Sequence, residues 1–141
     1  MDYFSLKGGI IHAEDVPLPA IAAAVGSPVY VYSRATLERH AQVFKAALAP
    51  IARTHVAFAI KANPNLSVLR VLANQGFGAD VVSGGEIARA LAAGMRPQDV
   101  VFSGVGKTRD ELERSLSDSI GQFNIELEEE GFALSEIAVG L

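Results

Sequence analysis

No cysteine occurs among the 141 residues, so the chain carries no disulfide framework, no thiolate nucleophile and no thiolate metal ligand. Positive charge is in deficit. Twelve Lys and Arg against 16 Asp and Glu give a formal charge of −4, whereas a nucleic-acid partner needs a clustered basic surface. Long apolar runs are missing too, and no stretch is of the type that crosses a bilayer. The start, Met1-Asp2-Tyr3-Phe4-Ser5, lacks the basic and then apolar regions of a secretory signal. His12, His40 and His55 stand apart, without metal-ligand spacing. These absences lead us to expect a soluble cytoplasmic protein with no metal, no nucleic-acid partner and no membrane partner.

What is present is a rhythm of strand and helix. Half of the residues are hydrophobic, enough for a real core. The apolar run His55–Ile60 reads as a strand ending at Lys61. Asn63-Pro64 then reads as the cap and first residue of a helix whose Val68, Leu69, Val71 and Leu72 share a face. A second strand passes through Gly78–Val82 and is followed by a helix from Gly84 to about Ala93. A third, Val100–Phe102, precedes a helix beginning at Thr108. A fourth, Gln122–Ile125, precedes a last helix, with Glu128-Glu129-Glu130 as its solvated start. The strand ends at Lys61, Val82, Phe102 and Ile125 lie 21, 20 and 23 residues apart. Each interval holds one crossover helix, so the strands are expected to be parallel.

Residues 1–32 read differently. Ile10-Ile11-His12 and Pro28-Val29-Tyr30-Val31-Tyr32 are expected strands, separated by a short helix near Leu18–Val25. Ser33 is then expected to cap a helix lined by Leu37, Ala41, Phe44 and Leu48. Four βα units are half of a barrel or part of an open doubly wound sheet. A complete barrel runs about 250 residues, and four strands leave open apolar edges. The sequence is therefore expected to be an incomplete part of its fold.

Ser103-Gly104-Val105-Gly106-Lys107-Thr108 invites a phosphate-loop reading, but Val101 stands where that loop needs its first glycine. The dinucleotide fingerprint fails at Arg109. A capping box between Thr108 and Glu111, with glycines turning the chain, accounts for these residues. Ser83-Gly84-Gly85-Glu86 reads as a second capping box. Its glycines permit close approach of either a ligand or a neighbouring helix.

Lys61 has two readings. At the C-terminal end of a barrel strand it projects into the mouth where barrel active sites lie; otherwise it is a surface lysine reaching water. Desolvation among Phe58, Ile60 and an opposite wall would make its amine a nucleophile. Asp80, inside the strand Phe77–Val82, is a site candidate because acidic residues in core strands are rare unless paired. The alternative is an aspartate bonded to loop amides.

Phe58-Ala59-Ile60-Lys61-Ala62-Asn63 resembles the cofactor-lysine segment of the alanine-racemase-like barrel group of pyridoxal-phosphate enzymes. His12–Leu18, Pro28–Ser33, Asp80–Glu86, Gly104–Thr108 and Ile120–Glu126 narrow the resemblance to the diaminopimelate decarboxylase family, in family order over nearly the whole chain. The resemblance implies an α/β fold, the first half of a (β/α)8 TIM-like barrel over residues 33–141. It also implies that residues 1–32 contribute strands to a β domain. It further implies pyridoxal 5'-phosphate carried by Lys61, Asp80 as a second catalytic group, and a homodimer. The reaction implied is decarboxylation of meso-2,6-diaminopimelate to L-lysine. In family members the phosphate-binding glycine loop, the carboxylate that pairs the ring nitrogen, a stacking histidine and a catalytic cysteine come later than the matched segment. The 141 residues alone are therefore expected to be inactive. The alternatives are a racemase or an ornithine or arginine decarboxylase on the same barrel, or a non-catalytic cofactor-binding fragment.

Overall fold

The computed structural model describes residues 2–140, which fall into two compact units meeting at Ala47 and Leu48. The first unit holds a three-stranded antiparallel sheet of β1 (Phe4–Lys7), β2 (Ile10–Ala13) and β3 (Val16–Pro17), in that order. Gly8 and Gly9, both at positive φ of 59° and 80°, turn β1 into β2. Helix α1 (Leu18–Val25) occupies the expected residues. Helix α2 (Arg34–Leu48) starts where Ser33 places it: the Ser33 hydroxyl accepts the Thr36 N–H at 3.0 Å. Glu14 adds a second cap from outside the helix, accepting the Ser33 hydroxyl at 2.8 Å and the Ala35 N–H at 3.0 Å.

One expected strand is absent. Pro28–Tyr32 forms no ladder, and Val29, Tyr30 and Tyr32 are 42%, 88% and 50% exposed. Alternating β-formers make a strand only where another strand offers hydrogen bonds. No described residue offers them here. Within α2, Ala41 is buried as expected, while Phe44 is exposed.

The second unit is the parallel series. Strands β4 (Ala57–Ala59), β5 (Gly78–Val81), β6 (Val100–Phe102) and β7 (Gln122–Phe123) pair in sequential order, every pair parallel. Helices α3 (Leu66–Asn74), α4 (Gly84–Ala92) and α5 (Arg109–Ser117) make the crossovers, and α6 (Glu128–Gly140) follows β7. A doubly wound sheet would reverse its strand order, and these four strands do not. Strand β6 has the expected bounds, while β4, β5 and β7 are shorter than the sequence suggests. Ile60–Ala62, with Lys61 at its centre, is a 3₁₀ turn, and the ladder of β7 ends at Phe123 rather than Ile125.

Alternation along the strands divides the sheet's two faces. Ala79, Val81, Val100 and Phe102 are fully buried and, with Leu69, Ile87 and Leu112 of the helices, make the core. The opposite face presents Ala59, Asp80, Val101 and Gln122 in one register row. Helix α3 is capped by Asn65, whose side chain accepts from the Ser67 and Val68 N–H groups. Asn63, the expected cap, instead accepts the Asn65 N–H at 3.1 Å, so Pro64 lies outside the helix.

Two glycines sit where a strand starts against the 3₁₀ turn Pro97–Asp99. A Cβ on Gly78 would overlap the Asp99 carbonyl, and one on Gly121 would overlap the Gln98 carbonyl. Neither contact can yield by rotating a side chain. Gly121→Ala is therefore expected to destabilise the chain by about 1–3 kcal/mol, the usual cost of overpacking. Urea unfolding would read this as a lower midpoint at unchanged slope, and an unchanged midpoint would refute the close approach.

Candidate active site

Parallel pairing brings the C-terminal ends of β4 to β7 to one edge of the sheet, where the segments after them carry Lys61, Ser103, Lys107 and Asn124. Lys61 lies in the turn directly after β4, and Asp80 lies on the adjacent strand in register with Ala59. The sheet thus brings the two expected residues to neighbouring strand ends at the same edge. Lys61 is exposed; Ile60 beside it is fully buried and Phe58 half-buried. The desolvated amine considered from the sequence is not found in this chain, because no opposite wall meets Lys61 among the described residues. Its amine has no ion-pair or hydrogen-bond partner there either.

Asp80 is half-buried and accepts the Ser103 hydroxyl on Oδ1 at 2.6 Å. Its partner is a side chain from the next strand end, and not the loop amides of the alternative reading. Oδ2 has no hydrogen-bond partner among the described residues. Ser103 in turn accepts from Asn124 at 3.0 Å. Ser103 and Asn124 were not singled out as site residues in the sequence. Their only signal there is position, each standing at the end of an expected strand.

A second lysine at this edge behaves oppositely. The Lys107 side chain is 1% exposed and pairs at 2.5 Å with Glu130, itself 7% exposed. Its amine also donates to the Gly104 and Asn124 carbonyls at 2.7 and 2.8 Å, and it stands 5.4 Å from the centre of the Phe102 ring. Lys107 is thereby committed to tying the loop after β6 to the start of α6. This also corrects the reading of Glu128-Glu129-Glu130 as a solvated run. Glu128 and Glu129 are exposed, but Glu130 is buried as the lysine's counter-ion.

The two capping boxes take different forms. At α5 the box is complete: Thr108 accepts the Glu111 N–H, and Glu111 Oε2 accepts the Thr108 N–H at 3.0 Å. At α4 Ser83 accepts the Glu86 N–H, but Glu86 reaches back to the Val82 N–H at 2.8 Å, one residue beyond the cap. The remaining oxygen of Glu111 accepts the Gly84 N–H at 2.8 Å. The close approach permitted at Gly84 is thus used by a side chain of the neighbouring helix. A cavity of about 200 Å³ lies between α4 and α5, away from the strand ends. Its Glu111 is already occupied by the two helix starts.

Comparison with known proteins agrees with this architecture. Residues 34–139 match the family model of the pyridoxal-dependent decarboxylases, pyridoxal binding domain. The chain is 51% identical over 140 residues to the diaminopimelate decarboxylase of Zymomonas mobilis, covering 98% of this chain and 33% of that protein. Among solved structures, diaminopimelate decarboxylase from M. jannaschii in complex with L-lysine superposes with a TM-score of 0.87 at 30% identity, over 99% of this chain and 34% of that one. The Helicobacter pylori enzyme complexed with L-lysine gives 0.81 at 37% identity, over 87% and 31%. The chain spans about a third of the length of the curated relatives it matches. No helix among the described residues is long and apolar enough to cross a membrane.

Two tests follow from these charges. Replacing Lys107 by Met leaves Glu130 buried and unpaired, a change expected to cost about 3–5 kcal/mol. Lys107→Met with Glu130→Leu should recover much of that loss. A double variant as unstable as the single one would show that the pair is not the cause. Hydrogen bonds from Gly84 and Thr108 hold the Glu111 carboxyl below its ordinary 4.5. A carboxyl lowered on folding contributes stability above its unfolded value and loses it as pH falls through the folded one. The urea midpoint of the wild-type chain should therefore drop more steeply between about pH 6 and about pH 3 than that of Glu111→Gln. Parallel curves would exclude the bridging role.

Proposed function

Because the chain belongs to the pyridoxal-dependent decarboxylases, we propose that it is the amino-terminal part of a diaminopimelate decarboxylase, which converts meso-2,6-diaminopimelate to L-lysine and carbon dioxide. Residues 1–32 belong, in this reading, to a β domain and residues 33–141 to the pyridoxal-phosphate barrel of a cytoplasmic homodimer. The observation that carries the proposal is the juxtaposition of Lys61 and Asp80 at adjacent ends of a parallel sheet inside the matched domain. L-lysine in the complexes of two relatives supports the choice of substrate.

The residues fit the cofactor. An aldehyde needs an accessible primary amine, and Lys61 offers one with no competing partner among the described residues, whereas the Lys107 amine is engaged by three acceptors. Asp80, with Oδ1 bonded and Oδ2 without a partner among the described residues, can orient or accept a proton at the adjacent strand end. Bound pyridoxal phosphate supplies the electron sink for the pair left when the α-carboxylate departs. Lys61 holds the cofactor in place, and Asp80 sets the charge beside the point of attachment.

The test uses a protein extended to the length of the relatives. It should release carbon dioxide and L-lysine from meso-diaminopimelate, and Lys61→Ala should reduce turnover on the order of a thousandfold or more. Asp80→Ala should slow it by about a hundredfold with the fold intact. Borohydride reduction followed by peptide mass analysis should find the cofactor mass on Lys61. Residues 1–141 alone should release no measurable product. Tagging of another lysine, preference for ornithine or arginine, racemisation without carbon dioxide, or full turnover by residues 1–141 would each overturn the reading.

A further inference from the structure

Three polar side chains lead across the sheet to Asp80. Gln122 donates to the Asn124 side-chain carbonyl at 2.8 Å, Asn124 donates to the Ser103 hydroxyl at 3.0 Å, and Ser103 donates to Asp80 Oδ1 at 2.6 Å. The backbone holds them in line. The Ser103 N–H reaches the Val81 carbonyl at 2.8 Å and the Asn124 N–H reaches the Phe102 carbonyl at 2.9 Å. One further backbone hydrogen bond thus follows each of β6 and β7, with Ser103 two residues past Val101 and Asn124 two past Gln122.

Stability does not require this chain. Asp80 is only half-buried, and Asn124 and Gln122 are exposed, so water could satisfy each group if the others were removed. What water could not supply is direction. An ionised carboxylate only accepts hydrogen bonds, so Ser103 spends its one proton on Asp80. The Ser103 oxygen must then accept, which turns the amide nitrogen of Asn124 toward it. The Asn124 carbonyl is left for Gln122. Each bond fixes the sense of the next, and such chains strengthen their members.

The Asn124 link is also held through its main chain. The Asn124 main-chain carbonyl accepts from Lys107, whose amine is held in the buried pair with Glu130. We propose that Ser103 and Asn124 are positioning residues that fix the Asp80 carboxylate, Ser103 directly and Asn124 through it, leaving Oδ2 as the acceptor available to the reacting groups. The inference rests on the reading of Lys61 and Asp80 as the catalytic pair.

The full-length holoenzyme tests it. Ser103→Ala should lower kcat by about 10- to 100-fold, the range expected from one hydrogen bond to a charged group. KM should change by no more than about twofold, because Ser103 acts on the Asp80 carboxylate and not on the substrate. Ser103→Thr, which keeps the hydroxyl, should recover most of the loss. If Ser103 acts through Asp80, the double variant Asp80→Ala/Ser103→Ala should be no slower than Asp80→Ala. Independently of turnover, the absorption band of the bound cofactor without substrate should move in Ser103→Ala as it does in Asp80→Ala, and stay in place in Ser103→Thr. Additive losses in the double variant, an unmoved band, or an effect confined to KM would overturn the proposal. Should Ser103→Ala fail to fold, Asn124→Ala enters the same cycle with Asp80→Ala. Activity surviving both Lys61→Ala and Asp80→Ala would defeat the site reading itself. Activity lost in those two but intact in Ser103→Ala would defeat this inference alone.

Discussion

Parallel pairing is the constraint from which the rest of the second unit follows. Two neighbouring strands can run the same way only if the chain is carried back between them, and here helices do the carrying. Every helix that packs on the sheet buries one face, which is why Ala79, Val81, Val100 and Phe102 are fully enclosed. All the loops that follow strands must also leave from one edge. Lys61 and Ser103 stand 42 positions apart in sequence, and Ser103 and Asn124 stand 21 apart, because crossovers lie between them; the sheet's direction gathers them. The row Asp80, Val101 and Gln122 faces away from the core residues for the same reason.

Gathered at that edge, two lysines meet opposite fates. Burying an ammonium is costly unless it is paired and its protons are satisfied. Lys107 meets both conditions through Glu130 and two main-chain carbonyls, and in doing so it joins two loops. Lys61 meets neither among the described residues and is exposed. Sequence context hints at the reverse, since Lys107 follows glycines in a loop resembling a phosphate cradle and Lys61 ends an apolar run. The difference lies in which side chains arrive from elsewhere.

That difference marks where sequence is informative about this fold. Features set by residues three or four apart were legible: the helix Leu18–Val25, the Ser33 cap, and the Thr108 and Glu111 box; so was the regular spacing of the strands. Lys61 and Asp80 could be singled out as chemical anomalies in apolar surroundings. What stayed hidden depends on partners remote in sequence. Pro28–Tyr32 has the alternation of a strand and no described strand beside it. Glu130 looks like one of three solvated glutamates until Lys107, from another loop, is placed against it. Ser103 and Asn124 become meaningful only once β6 and β7 lie beside β5. The choice of Asn65 over Asn63 as the α3 cap depended on local turn geometry, because Asn63 spends its side chain on the Asn65 N–H.

The turn Pro97–Asp99 has a role larger than its three residues suggest. Its carbonyls press against Gly78 at the start of β5 and against Gly121 just before β7, and the Gly121 N–H is bonded to the Pro97 carbonyl at 3.0 Å. The turn therefore works as a depth gauge: two strands flanking β6 are seated against one stop. Because strands are stiff and short, a height set at their beginnings is transmitted to their ends. Asp80 stands two residues along from Gly78, and Asn124 three along from Gly121. The vertical alignment of the polar chain is thus set at the opposite edge of the sheet. In such an arrangement, a methyl group added at Gly78 or Gly121 would tilt the strands out of level and disturb side chains it never touches.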